Sequence, residues 1–480
     1  MVIILGIGGS GMSSLAHILA DTGIEILGYD KQSNSQVQFL RERGVLVFQN
    51  WEEIQNVNLS KISSIIVSSA IKSHPVLDWA NSYKIPVYHR SAALHEIVKK
   101  KYSISVAGSH GKTTTTAMVA HILRDLETHP SYMIGAELPH LGVSGGKWDP
   151  QGEWFVYESD ESDGTFLNHK ADIRVITNID RDHLDHFGTM EKLFEAFRSY
   201  LDNSVSRYGS LLPPKAFLYI GDPGVREMLS GIREFSDYID LVLLGNQEDL
   251  RLLPKRFLSK EFIEIKSNQG TSITNTWKLM DSQREKNSDL NWEVPFFGEH
   301  YRTNASLAIS VVLSMGMDPN LIRESIKRYP GVKRRMEFLG ESQGVRVFDD
   351  YGHHPTEVTA VLKALSEGSQ NSESKQTYVI FQPHRYSRTA DLYKEFAVAL
   401  EKADNLFLLP IYSAGETPIP GVDVNLIGGI LESKGKSPHY LTGRVSEDID
   451  ILKSKIQGKS TLLCLGAGSV RSWGEEFLKS

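Results

Sequence analysis

Short runs of apolar residues alternate with stretches of helical period along most of the chain, the pattern of an α/β protein with parallel sheets. Val2–Leu5 reads as a buried strand and Met12–Asp21 as the helix after its loop, with further strands at Ile24–Tyr29 and Ser64–Ser68. The pattern starts afresh at Ser103–Val106 and runs through strands at Trp154–Tyr157 and Arg174–Thr177 to a helix at Thr303–Met315. Between about 238 and 297, short runs broken by Asn, Ser and Gly predict a small antiparallel annex. Pro330-Gly331 breaks the rhythm, and a third set follows with strands at Val345–Phe348, Tyr378–Phe381, Asn405–Leu409 and Thr461–Leu465. Within that set the polar stretch Gly368–Gln376 predicts a mobile surface loop. The breaks predict three domains, 1–100, 101–330 and 331–480.

Length agrees, since 480 residues at roughly 150 per domain suggest about three. Hydrophobic residues are 40% and charged residues 23% of the chain, ordinary globular chemistry that excludes a largely disordered protein. Lys and Arg number 52 against 59 Asp and Glu, a formal net charge of −7 with no polybasic stripe, which argues against nucleic acid as the main partner. No apolar run is long enough to cross a bilayer, so no membrane insertion is expected. The apolar start Met1–Leu5 lacks a positive flank and runs into glycines, so it reads as a first strand rather than a signal peptide. The lone Cys464 cannot form an internal disulfide, which fits a reducing, cytoplasmic setting.

Two glycine loops carry the candidate chemistry. Gly6-Ile7-Gly8-Gly9-Ser10-Gly11 follows the first strand and opens a helix, and Asp30 ends the next strand where a ribose-binding acid falls. Glycines there let backbone N–H groups approach a pyrophosphate, so the motif indicates a nucleotide diphosphate without specifying NAD. The second loop, Gly108-Ser109-His110-Gly111-Lys112-Thr113-Thr114, also lies between a strand and a helix. Gly-Lys-Thr at a helix start is a phosphate cradle: backbone N–H groups wrap the phosphates, Lys112 neutralises them and the Thr113 hydroxyl reaches Mg²⁺. Val106 stands where the eight-residue Walker pattern has its first glycine, so the loop is shorter than that pattern. The cradle reads as an ATP site.

Acidic residues follow two later strands. Of Glu158-Ser159-Asp160-Glu161-Ser162-Asp163, Glu158 is the expected Mg²⁺ ligand, and Asp160, Glu161 and Asp163 read singly as a solvated acidic turn. The segment Asn178–His186 invites a zinc reading, but no cysteine accompanies it; a second Mg²⁺ with His183 as one ligand is more economical, with His186 at the surface.

Taken together these motifs resemble the Mur ligase family nearly end to end. The likeness extends to Ser68–Ile71, Gly298–Asn304, Arg334-Arg335, Asp349–Glu357, Gln382–Arg388, Tyr412–Glu416 and Gly466–Gly468. It implies a Rossmann-like N-terminal domain for a UDP-sugar, a central P-loop ATPase-like domain with a mostly parallel sheet, and a Rossmann-like C-terminal domain for an amino acid. It implies ATP as cosubstrate, Mg²⁺ with Mn²⁺ as an alternative, UDP-N-acetylmuramate and L-alanine as substrates, and a monomer or weak homodimer. The reaction implied is ADP-forming amide synthesis in peptidoglycan precursor assembly, through an acyl phosphate on the lactyl carboxylate.

By the same resemblance Gly8, Gly9, Ser10, Gly11, Met12, Asp30, Ser69 and Arg90 contact the UDP-sugar. Lys112 contacts the γ-phosphate, while Thr113, Glu158 and His183 hold the metal. His300 and Asn304 contact adenine, and Arg335 and Asp350 reach the nucleotide. His353, Arg385 and Arg388 bind the amino acid, and the segment Pro330–Arg335 is expected to act as a hinge. Tyr301 stands where the family pattern has Asn, and Phe194–Leu201 lacks the lysine that several members carbamylate, so no modification is assigned. A recycling ligase that takes an intact tripeptide shares the first two domains; the string His384–Arg388 favours a single amino acid. An NAD-dependent oxidoreductase leaves the Lys112 loop unexplained, and a non-catalytic ATP sensor leaves the filled catalytic positions unexplained.

Overall fold

The structure, a computed structural model, describes residues 1–68, 71, 73–138, 140–142, 144–205, 214–232, 239–267, 271–278, 287–369, 376–456 and 458–479. Three sheets organise them. The first has five parallel strands in the order Leu46–Phe48, Ile26–Tyr29, Val2–Leu5, Ser64–Val67, Val87–His89. Val2–Leu5 is the point where the strand order reverses, and the glycine loop leaves the sheet from its carboxyl end, where open α/β sheets bind ligands.

The second sheet has ten strands, with a parallel centre that places Tyr102–Ala107 between Ile173–Ile176 and Trp154–Glu158. Lys215–Tyr219, Asp240–Gly245 and Glu261–Ser267 continue it in parallel. The predicted annex is antiparallel only from Glu261–Ser267 onward, through Ser272–Lys278 and Asn287–Glu293, and it prolongs this sheet. Ser131–Met133 and the short strand Gly146–Lys147 close the other edge.

The third sheet has six strands. Glu337–Ser342 pairs antiparallel with Val345–Asp350; Ser460–Leu465, Gln376–Phe381, Asn405–Leu408 and His439–Tyr440 follow in parallel. Cys464 is fully buried within it, and burial pushes its thiol pKa up. The expected loop at Gly368–Gln376 falls mainly on 370–375, outside the described residues.

The chain divides into two compact units. One holds the first two sheets and ends with Arg302–Pro330; the other holds Phe296–Tyr301 and Gly331–Ser480. The first two sheets share apolar packing: Val2, Ile4, Leu15 and Ile18 lie in one buried cluster with Met133, Phe155 and Tyr157. Helix Ser10–Asp21 packs directly on Gly146–Lys147, and a Cβ at Gly146 would run into the Ser14 backbone. No helix among the described residues is long and apolar enough to cross a membrane.

Candidate active site

The Lys112 loop is braced before any phosphate arrives. Gly111 takes a left-handed conformation (φ 82°) that starts helix Lys112–Asp125, and a Cβ there would sit 2.6 Å from Asn304 Oδ1. The loop is strapped to the strand end beside it. The His110 amide donates to Asn178 Oδ1 at 2.8 Å, and Asn178 Nδ2 and Thr177 Oγ1 donate to the His110 carbonyl at 2.8 and 2.6 Å. The Asp180 amide donates to Ser109 Oγ at 2.9 Å, and His110 Nε2 lies 2.9 Å from Asp180 Oδ2. Ser109 and His110 therefore spend their side chains on the loop. No side chain caps the helix, so its N-terminal field is presented to whatever the loop holds.

Lys112 Nζ donates to the Gly108 carbonyl at 2.7 Å and to both oxygens of Glu161 at 2.9 and 3.1 Å. Burial alone would lower the ammonium's pKa, but Glu161, Asp160 and Glu158 reverse that and hold it protonated. The Glu161 side chain is 1% exposed. The expectation of a solvated acid at 161 is therefore corrected: this carboxylate is the buried counter-ion of the cradle lysine.

Two sets of candidate metal donors adjoin the cradle. Thr113 Oγ1 lies 3.1 Å from Glu158 Oε2, and Glu158 Oε1 accepts the Gly135 amide at 2.8 Å. Glu158 is the last residue of its strand, and burial pushes its pKa up against the pull of the Gly135 N–H, Lys112 and Thr113. A half-buried carboxylate beside a hydroxyl is a hard-oxygen donor set suited to Mg²⁺. His183 gathers instead with Asp160 and Glu161, their donor atoms within 4.8 Å of one another. His186 is exposed.

At the first glycine loop the Gly8 amide donates to Asp30 Oδ2 at 2.8 Å, and Asn34 Nδ2 donates to the Gly8 carbonyl at 3.0 Å. Helix Ser10–Asp21 begins at Gly9 with no side-chain cap, and the Arg90 guanidinium lies against Gly11. A cleft of about 210 Å³ lies beside this loop, with Ser10, Gly11 and Arg90 among its walls together with Glu158 and Asp160, the acids that adjoin the cradle.

In the second unit the carboxyl ends of neighbouring strands converge. Asp350 is buried, accepts the Met336 and Gly352 amides at 2.8 Å each, and is pushed up to about 6 by burial against Arg335. Arg335 lies 3.5 Å from Glu357 and over the Tyr351 ring, 5.3 Å from its centroid. His300 packs on Tyr301, whose ring stacks on Phe296, so Tyr301 serves as a buried apolar support. The His353 ring lies 5.9 Å from that of His384, which stacks on Tyr412 at 5.6 Å. Burial, with Arg388 nearby, lowers His353 to about 3; burial, Arg388 and Arg385 lower His384 to about 4. Arg388 lies in the first turn of helix Tyr386–Leu400, and Arg385 caps that helix at φ 72°, ψ 138°. Such a backbone is rare outside glycine and is stored where surrounding structure over-determines it. Here the Arg385 amide donates to the Tyr412 carbonyl and the Tyr412 amide to the Pro383 carbonyl, each at 2.8 Å.

Comparison with known proteins agrees with this layout. Residues 2–102 match the Mur ligase family catalytic domain, 106–312 the Mur ligase middle domain and 334–468 the Mur ligase glutamate ligase domain. The chain belongs to the Mur ligase family. A UDP-N-acetylmuramate–L-alanine ligase of Methylobacterium nodulans is 35% identical over 476 residues, 98% of this chain and 94% of that protein. Among solved structures, the UDP-N-acetylmuramate–alanine ligase of Thermotoga maritima has a TM-score of 0.77 at 24% identity, covering 100% of this chain and 98% of that one. A murein peptide ligase of Psychrobacter arcticus has a TM-score of 0.69 at 19% identity, covering 100% and 98%. Both likenesses show the three-domain α/β fold.

Within this Mur ligase the expected residues fall into three groups: the phosphate cradle with its acids, the first glycine loop with Arg90, and the His353–Arg388 end. Met12 is expected at the same loop. It is 3% exposed and packs in the core, so only its backbone faces the loop. Ser69 lies outside the described residues. Sequence reasoning also missed the turn Thr165–Asn168, which helix Arg90–Val98 grips: Asn168 Nδ2 donates to Ser91 Oγ at 3.0 Å and His95 Nδ1 to the Asn168 carbonyl at 3.1 Å. The one available signal was its place just after the acidic run.

Proposed function

We propose that this Mur ligase is an ATP-dependent, ADP-forming enzyme that joins L-alanine to the lactyl carboxylate of UDP-N-acetylmuramate, a step in peptidoglycan precursor synthesis. The observation that carries the reading is the cleft that leads from an uncapped glycine loop to Glu158 and Asp160, the acids beside the lysine cradle. It suits a substrate with a diphosphate at one end and a carboxylate at the other. Full-length likeness to L-alanine ligases supplies the identity of the substrates.

A carboxylate is a poor electrophile, so its oxygen first takes the γ-phosphoryl group of ATP and ADP departs. The amine of alanine then attacks the acyl carbon, phosphate leaves with the C–O electron pair, and the amine gives up its proton to solvent. Lys112 gives up Glu161 for the γ-phosphate and offsets the charge that spreads over the phosphoryl oxygens. Backbone N–H groups of Gly108–Thr114 cradle the phosphates. Thr113 and Glu158 would hold one Mg²⁺ and His183 a second, supplying further positive charge at the phosphoryl group. Arg385 and Arg388 take the α-carboxylate of alanine by charge-assisted bonds and leave its amine free to react. Neutral His353 and His384 line that end without adding charge that would repel the ammonium.

Phosphate release tests the reading. It is expected only when ATP, UDP-N-acetylmuramate and an amino acid are present together, with alanine preferred over glycine and serine. Release driven by the L-Ala-D-Glu-meso-diaminopimelate tripeptide and not by alanine would replace the reading with the recycling ligase. A change in nicotinamide absorbance would replace it with a dehydrogenase.

A further inference from the structure

The cleft between the glycine loop and the cradle contains a residue that neither motif nor mechanism uses. His169 follows the turn Thr165–Asn168 and forms part of the cleft wall, yet it is 3% exposed. Its backbone is fixed, because its carbonyl accepts Arg174 Nη2 at 2.7 Å. Its ring is fixed as well, stacked on His95 at 6.3 Å and edge-on to Tyr157 at 5.9 Å. Nδ1 is buried without a partner. Facing groups include His95, Arg174 and Arg90, and burial together with these groups lowers its pKa to about 3, so the ring is neutral. A neutral imidazole carries one N–H. The tautomer with a bare nitrogen at the buried Nδ1 puts that proton on Nε2.

The same cleft is lined by the apolar Leu94, Met133 and Phe166 among polar side chains such as Ser91 and Thr165. One fixed donor in a cleft that also offers apolar side chains suits a group that ends in a carbonyl oxygen on one side and a methyl on the other. Between its diphosphate and its lactyl carboxylate, the proposed substrate carries such a group: the 2-acetamido substituent of its sugar. We propose that His169, with Leu94, Met133 and Phe166, recognises this acetamido group and makes the enzyme specific for an N-acetylated amino sugar. His169 thus determines specificity at a distance from bond making, and the inference rests on the function proposed above.

The test compares UDP-N-acetylmuramate with its de-N-acetylated analogue in wild type, His169→Ala and His169→Gln, alongside melting temperatures. Wild type should prefer the acetylated substrate. His169→Ala should raise the KM for that substrate by about 3- to 10-fold, the loss of one neutral hydrogen bond, and leave the ATP KM and the analogue's KM unchanged. His169→Gln keeps an N–H donor and should recover part of the preference; it also carries the test if the Ala variant fails to fold. A purely structural role would move both sugar substrates together, and that result, or undiminished discrimination in both variants, overturns the inference alone. A wild type that does not turn over UDP-N-acetylmuramate overturns the functional reading and this inference with it.

Discussion

The cradle around Lys112 and the amino-acid end around Arg385 both use cations to hold an anion, yet they are built in opposite ways. Lys112 is inside, already paired with the buried Glu161, on a loop tied by six hydrogen bonds or close polar contacts to Thr177, Asn178 and Asp180. Arg385 is exposed and depends on a strained backbone at a helix start. A buried cation needs a resident counter-ion, because an unpaired charge away from water is costly. An exposed one keeps its hydration until the ligand arrives. The cradle exchanges one carboxylate for a phosphate, whereas the amino-acid end exchanges water for a carboxylate.

Removing each cation should break the likeness in a different place. Lys112→Ala should lower kcat by on the order of 10² to 10³. It should also cost about 3–5 kcal/mol of stability, since Glu161 is left buried and unpaired. Adding Glu161→Gln should return much of that stability and none of the turnover, which a denaturant titration beside a phosphate-release assay would read. A Lys112→Ala protein as stable as wild type would remove Glu161 from this role.

Arg388→Ala should show in substrate affinity. It forfeits a charge-assisted bond of roughly 1.5–3 kcal/mol, so the alanine KM should rise about 10- to 150-fold while the ATP KM stays put. Steady-state kinetics with each substrate varied in turn would check it; a raised ATP KM with unchanged alanine KM would move Arg388 to the nucleotide.

Acid sharpens the comparison of the two units. His17 and His140 in the first are lowered to about 4 by burial, and His353 and His384 in the second to about 3 and 4. Each is neutral when folded and takes up a proton when unfolded below its usual 6.5. Their contribution is complete above pH 6.5 and is lost as pH falls from there toward about 4. From pH 7 to 5 the 2%-exposed His17 should cost about 2 kcal/mol. His17→Asn should flatten that part of the pH–stability curve, and an unchanged slope would show the ring is charged in the folded protein. The smallest effect belongs to Arg385→Gly, which should relieve about 1 kcal/mol of backbone strain even as it weakens alanine binding. A variant that melts lower than wild type would mean the φ of 72° stores no strain.

The parts of the site legible in the sequence are those set by local backbone chemistry. Gly111 and Lys112 need only a strand before them and a helix after, and Gly8 with Asp30 needs only the next strand. Glu161 was not legible, because an acid in a polar turn looks solvated until the lysine 49 residues away is seen opposite it. The inward turn of the Met12 side chain was hidden for the converse reason: it adjoins the glycines in sequence, but helical rotation turns it into the core. The three runs of strands and helices were legible from periodicity, whereas the strand Gly146–Lys147 was too short to show one.

That short strand has a consequence for inheritance. With the Ser14 backbone seated on Gly146 and the apolar faces of two sheets merged, residues 1–100 are no freestanding cassette. Expressed alone, they would uncover the patch of this cluster that Met133, Phe155 and Tyr157 close. The second unit, by contrast, encloses clusters of its own around Phe381 and Trp473. Recombination between relatives, natural or engineered, should therefore reject a crossover near residue 100 and tolerate one at Pro330-Gly331 when Phe296–Tyr301 comes from the same parent as the second unit it packs in, so that acceptor preference can be exchanged while most of the nucleotide-handling half travels as a single piece.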